Sequence, residues 1–264
     1  MKSCAQTALQ LGFIVLLCGF LAVWQRTNND WDFIVYTQQW PQASCVDINE
    51  TRHEKCFLPS NVKTWTIHGI WPSREQNKGP FYCNDSWPFR ESAILDLEPQ
   101  LVSKWPNLIH GEGKTSFWKH EWVKHGTCAA LLPDLDSEHK YFAKGLDLNK
   151  RFNYMKVLAD KNITPSRDTL YKLTDIRNAI EGFTNSYTII QCIVAKDESK
   201  QAIVQVEVCL NKDFTTRDCV NYDNKFMLLP SWDRIPYNPS FEACVDDRPT
   251  QYLPFTYSPP PDDL

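Results

Sequence analysis

The stretch T-W-T-I-H-G-I-W-P, residues 64–72, decides how the rest of the chain is read. It mixes β-branched and aromatic residues and stops at a proline, the signature of one strand of a sheet. On a regular strand Trp65, Ile67 and Gly69 share one face, and Thr66, His68 and Ile70 the other. Upstream, F-I-V-Y-T-Q-Q-W at 33–40 reads as a second strand, closed by Pro41. Downstream the apolar period changes, and helical spacing occupies 92–104, 117–125, 138–159 and 174–183, with Ser137 placed to cap the third helix. Two further strands follow at 187–195 and 202–210, the second with Ile203, Val204, Val206, Val208 and Leu210 in near alternation. Strands at both ends of a run of helices predict a single α+β domain over residues 31–250, a central antiparallel sheet packed against several helices. No internal repeat or low-complexity tract interrupts it.

The ends of the chain read differently. Lys2 precedes a mostly apolar run of 14 residues, 11–24. A membrane span needs about 20 residues, so this run predicts a secretory signal peptide over 1–24, cleaved somewhere within 22–30, and no stable membrane association afterwards. Residues 251–264, ending S-P-P-P-D-D-L, read as a Pro-rich flexible tail. Of ten cysteines, Cys4 and Cys18 fall in the leader, which leaves Cys45, Cys56, Cys83, Cys128, Cys192, Cys209, Cys219 and Cys244. An even number in an exported chain predicts four disulfides, although eight thiols allow 105 pairings. None lies in a C-x-x-C, so no zinc cluster is predicted. Asn49, Asn84 and Asn162 head glycosylation sequons, which fit a secreted or endolysosomal destination.

Across its 264 residues the chain is 42% hydrophobic and 23% charged, enough for a sizeable core. Its formal net charge is −4, which excludes a generic basic nucleic-acid binder. The charge is uneven, however. Residues 104–125 carry four lysines and three histidines against Glu112 and Glu121, a local basic cleft able to attract phosphate. Histidine protonation below about pH 6.5 strengthens it.

The densest part of that cleft is F-W-K-H-E-W-V-K-H-G-T-C, residues 117–128. It nearly spells the zinc motif H-E-x-x-H, but the second histidine, His125, comes one residue late. On an ideal α-helix His120 and His125 are roughly 140° apart, too far to share a metal, and no metal site is predicted. Glu121 and His125 stand one turn apart, beside a parallel row of His120 and Lys124. That places a carboxylate and an imidazole between cations, an arrangement for working on an anion, although a solvated helix face with ordinary ion pairs has the same spacing. Gly126 reads as the helix stop and Cys128 as a covalent pin. His68, at the end of its strand, supplies a second imidazole, the minimum for one base and one acid.

Together T-I-H-G-I-W-P and F-W-K-H-E-W-V-K-H-G-T-C, about 50 residues apart, resemble the two active-site signatures of the ribonuclease T2 family, the acid, transferase-type endoribonucleases. The segments Q-Q-W-P at 38–41, C-N-D-S-W-P-F at 83–89 and I-Q-C at 190–192 resemble its animal members. The resemblance implies cleavage of single-stranded RNA, not DNA, by a monomer without cofactor or metal, through a 2′,3′-cyclic phosphate. It implies His125 as general base, His68 as general acid, Lys124 and Glu121 as stabilisers of the phosphorane, and His120 as a phosphate holder. Trp71 would stack a base in the first subsite, with Gln39 and Phe117 in the second. Ser73 departs from the aspartate common at that position, which bears on base preference. Trp118 and Trp122 read as core, and His53, His110 and His139 as surface or structural residues. The implied disulfides are Cys45–Cys56, Cys83–Cys128, Cys192–Cys244 and Cys209–Cys219. A different class of function, an extracellular binding or signalling protein on the same scaffold, requires no turnover and is the alternative that an RNA-cleavage assay separates.

Overall fold

In the computed structural model, which describes residues 29–50, 53–75, 79–195, 199–219 and 241–255, two long strands lie side by side in one sheet. Strand β1 (Phe33–Gln39) pairs antiparallel with β2 (Thr66–Ser73) on one flank and with β5 (Gln201–Leu210) on the other. Beyond β5 come β4 (Ile189–Val194) and β7 (Glu242–Ala243). Short strands complete the sheet: β6 (Thr216–Arg217) on β5, and β3 (Leu170–Tyr171) on β8 (Thr250–Gln251). The pairing of β5 with β8 is parallel, the only such pair among the described strands.

The helices are α1 (Pro41–Glu50), α2 (Glu98–Lys104), α3 (Ser116–Glu121), α4 (Glu138–Arg151), α5 (Tyr154–Ala159) and α6 (Leu173–Thr184). The single helix expected over 138–159 is two, because the chain leaves helical geometry at Phe152 and Asn153 then caps α5 by accepting from the Lys156 amide. Ser137 caps α4 through the Lys140 amide. Helix α1 was not legible. Pro41 closes a strand but equally suits the first turn of a helix, where its missing N–H costs nothing.

One face of the sheet carries the main core against the helices. Ile34 and Tyr36 of β1, Ile67 and Ile70 of β2, and Val204, Val206, Val208 and Leu210 of β5 join Trp105, Trp118, Tyr141 and Phe142 in the main core. That Ile67 and Ile70 share this face corrects the simple alternation, which put Ile70 beside His68. Ile67 pairs with Gln38 and Gly69 with Thr37, so His68 is the extra residue of a β-bulge. A bulge inserts one residue and reverses the facing of everything beyond it. The opposite face is apolar at one end, with Phe33, Val35, Cys209 and Trp71, and polar at the other, with Thr37, Gln39, Gln205 and Glu207 in register.

Four disulfides close in the implied pairing: Cys45–Cys56, Cys83–Cys128, Cys192–Cys244 and Cys209–Cys219. The tail begins later than the sequence indicated. Tyr252 is buried, its hydroxyl accepts from the Trp65 indole at 2.8 Å, and the Leu253 carbonyl accepts from the Trp40 indole at 2.8 Å. Tyr252 therefore belongs to the core, with Leu253 and Phe255 packed against it, while the expected signal peptide and residues 256–264 lie outside the described residues. Among the described residues no helix is long and apolar enough to cross a membrane.

Candidate active site

Helix α3 does not end at Gly126. It passes into a π turn, Trp122–Gly126, and finishes with a short α turn, Thr127–Ala129. Gly126 has ordinary helical angles, and its role is close packing: a Cβ there would lie 2.3 Å from the Trp122 ring. The π turn also overturns the helical-wheel estimate. With i→i+5 bonding, residues five apart approach one face, and the His120 and His125 rings stand 6.4 Å apart. His120, Glu121 and His125 consequently offer ligand atoms within 4.8 Å of one another, the one such group among the described residues. The Lys124 ammonium on the same turn opposes a dication there, so the donor set is a poor match to a resident metal.

Trp71 is the hub of the site. Its ring lies 5.0 Å from that of His68, edge to face, and 5.6 Å from that of His125. Its indole N–H donates to Glu121 Oε2 at 3.1 Å. Gly69 makes this approach possible, because a Cβ there would meet the indole nitrogen at 2.0 Å and Glu121 Oε2 at 2.3 Å. The strand imidazole and the helix imidazole thus flank one half-buried indole that the helix carboxyl holds. Across His125 stands Phe81, 5.5 Å from that ring and 5.2 Å from Lys124 Nζ. The segment carrying Phe81 is tied to the helix by the Tyr82 amide bonding the Lys124 carbonyl at 2.9 Å, and by Cys83–Cys128.

Burial dominates the electrostatics. It drives Glu121 up to about 8, against the opposing pull of the Trp71 hydrogen bond and Lys124. Lys124 is lowered by the same desolvation, with Glu121 acting the other way. His120 is lowered to about 4, first by burial and then by Lys124. His125 is pushed well below the usual imidazole range by burial, and further by Lys124, His120 and His68. Its Nδ1 is enclosed without a hydrogen-bond partner. An imidazolium would carry a donor at both nitrogens, so an enclosed partnerless nitrogen also favours the neutral ring.

Of the residues nominated from sequence, His68, Trp71, His120, Glu121, Lys124 and His125 come together. Gln39 lies on the polar sheet face; its Oε1 accepts from Ser44 while its buried Nε2 has no partner, a donor left for something else. Phe117 does not fit its nominated part. It is 3% exposed and joins the main core with its ring 5.8 Å from that of His68, so it supports that imidazole and offers no open face to a base. Trp118 and Trp122 are core residues. His53, His110 and His139 lie outside this cluster; His139 pairs with Asp96 at 2.9 Å, and His110 packs beside Phe57. Asn49 and Asn162 are exposed and Asn84 half-buried. Sequence reasoning missed Phe81, whose one signal was its place two residues before a cysteine bridged to the helix. It also missed Gln205, which meets His68 from β5.

Comparison with known proteins identifies the family. Residues 31–219 match the Ribonuclease T2 family. The chain belongs to the ribonuclease T2 family. It is an RNA-cleaving enzyme of that family. Ribonuclease Oy of Magallana gigas is 38% identical over 192 residues, 72% of this chain and 88% of that protein. Ribonuclease T2 of Homo sapiens is 38% identical over 189 residues, 71% of this chain and 69% of that protein. Among solved structures, human RNase T2 aligns with a TM-score of 0.66 at 33% identity, covering 85% of this chain and 99% of that one. RNase NT, solved with 5′-AMP, aligns at 0.67 and 31% identity, covering 86% and 100%.

Proposed function

We propose that this ribonuclease T2 member is a monomeric, secreted or endolysosomal endoribonuclease that cleaves single-stranded RNA with little base preference, at acid pH and without a metal. The observation that carries the reading is the pair of imidazoles, His68 and His125, on either side of Trp71 with Glu121 bonded to that ring.

In this reading the ribose 2′-hydroxyl is the nucleophile, already placed next to its own phosphate, an intramolecular advantage. His125, held neutral by burial even in acid, takes the 2′-proton as the new P–O bond forms. His68 gives a proton to the departing 5′-oxygen, leaving a 2′,3′-cyclic phosphate that water opens later to the 3′-phosphate. Negative charge builds on the non-bridging oxygens, where fixed donors count most. Lys124 supplies positive charge. Glu121, neutral below about pH 8, supplies an O–H while its other oxygen holds Trp71. His120, also neutral above about pH 4, donates one hydrogen bond to the phosphate. Trp71 and the 40% exposed Phe81 offer ring faces to a base, which stacking accepts with little regard to its identity. The Gln39 amide donor serves a second base. DNA lacks the 2′-hydroxyl and is inert.

The test is product analysis on a dinucleoside phosphate in excess chelator at about pH 5. The expected first product is the cyclic phosphate at an undiminished rate, with the deoxy analogue untouched. Loss of cleavage on metal removal, or direct formation of a 5′-phosphate, would refute it.

A further inference from the structure

Behind His68, on the polar face of the sheet, lie three side chains for which transesterification has no step: Gln205 and Glu207 on β5 and Gln191 on β4. They are 3%, 1% and 5% exposed, and the strand register sets Gln205 directly opposite Gln191. Gln205 Oε1 meets His68 Nδ1 at 2.5 Å. The Gln205 amide nitrogen donates to Gln191 Oε1 at 2.6 Å and to Glu207 Oε1 at 3.0 Å. A primary amide has two hydrogens, and both are committed. Turning it over would set its oxygen against Gln191 Oε1 and give up the N–H bond to Glu207, so the backing residues favour Oε1 facing the imidazole.

We propose that Gln205 is the positioning residue of the general acid: by accepting from Nδ1 it keeps a hydrogen there throughout turnover, so the proton given to the leaving oxygen departs from Nε2. The inference rests on the reading of His68 as the acid. Its balance is simple. The Nε2–H bond breaks as the O5′–H bond forms, the ring becomes the neutral Nδ1–H tautomer, and the bond to Gln205 survives. An amide also suits an acid better than a carboxylate, which would stabilise the imidazolium and weaken its tendency to give up a proton.

The experiment compares wild type, His68→Phe, Gln205→Leu and Gln205→Glu on two substrates: a dinucleoside phosphate, and a nucleoside 3′-aryl phosphate whose phenolate leaves without a proton. Gln205→Leu is expected to lose about 10- to 100-fold in kcat on the first, with KM nearly unchanged, and under about 3-fold on the second, the same bias as His68→Phe. Equal losses on both substrates, or none on either, overturn the inference and make Gln205 merely structural. Gln205→Glu covers the case in which the leucine variant does not fold. The new carboxylate keeps an acceptor for Nδ1 and accepts a hydrogen bond from Glu207, which burial raises to about 7 and so keeps protonated in the acid range, leaving one shared negative charge beside the ring. It is expected to recover most of the rate lost in Gln205→Leu and to move the NMR titration of His68 upward. His125, which interacts electrostatically with His68, and Glu207, bonded to residue 205, are the same in every variant. An unmoved titration overturns the proposal. A wild type that leaves the dinucleoside phosphate intact removes the ribonuclease mechanism itself, and a His68→Phe variant with no leaving-group bias removes only the acid assignment.

Discussion

At the scale of single residues, the proposed mechanism gives Glu121 two tasks that compete for one carboxyl. One oxygen accepts from Trp71, and the other is free to act on phosphate only if its protonation suits the charge developing there. Because burial raises Glu121 to about 8, the acid form prevails through the acid range. Glutamine copies that form, with an oxygen for the indole and an N–H in place of the O–H. At about pH 5, Glu121→Gln is expected to keep kcat/KM within roughly tenfold of wild type, while Glu121→Ala loses about 10²- to 10³-fold, measured on a dinucleoside phosphate. Equal defects would mean that Glu121 must transfer its proton, not merely donate a hydrogen bond. His125→Phe should be worse than either, with a loss of about 10²- to 10⁴-fold and an unchanged melting temperature, because the phenyl ring refills the same enclosed space without a base.

At the scale of elements, two departures from regular geometry build the site: the bulge that aims His68 and the π turn that draws His125 toward His120. Both depend on close approach to an indole. Gly126→Ala would set a methyl 2.3 Å from Trp122, so the π turn must shift. Overpacking of this kind costs about 1–3 kcal/mol, and the expected outcome is a lower melting temperature together with reduced kcat. Gly69→Ala, whose methyl would lie 2.0 Å from the Trp71 indole nitrogen and 2.3 Å from Glu121 Oε2, should separate Trp71 from Glu121, read as a change in Trp fluorescence and a fall in turnover. These same departures set the limit of what could be read from sequence. The strands at 33–40, 64–72 and 202–210 and the helix at 174–183 were legible because a face repeats at a fixed period. The residues to be brought together were legible because two short motifs hold them. Their mutual orientation was not, since a bulge or a π turn is an insertion in a period, set by packing against residues distant in the chain. Phe81 and Gln205 were missed for a related reason: neither lies in a motif, and contacts between distant segments bring them to the imidazoles, the Cys83–Cys128 bond and the Tyr82–Lys124 backbone bond for the first and the β1–β5 register for the second.

At the scale of the whole molecule, the buried ionisable groups make stability a function of pH from both directions. Glu121 and Glu207 have folded pKa values of about 8 and about 7 against an ordinary 4.5. The stability they contribute is fully present below about 4.5 and is lost as pH rises through those raised values. His120, at about 4 against an ordinary 6.5, and the lowered His125 work oppositely. Their contribution is present above 6.5 and is lost as pH falls through their depressed values. Between about 4.5 and 6.5 two carboxyls and two imidazoles change in opposite directions and nearly cancel. Thermal melting followed against pH is therefore expected to show a plateau over that window, with losses on both sides. From pH 6.5 to 8 the fall should be on the order of 2 kcal/mol, carried by the two carboxyls. Glu207→Gln should shrink that alkaline fall and tilt the plateau, so that stability already drops as pH falls below about 6.5, where one carboxyl no longer offsets two imidazoles. A stability maximum at pH 8, or an alkaline limb indifferent to Glu207, would show that these carboxyls are ionised in the fold, and with that the neutral Glu121 on which the proposed acid-range chemistry depends would be lost.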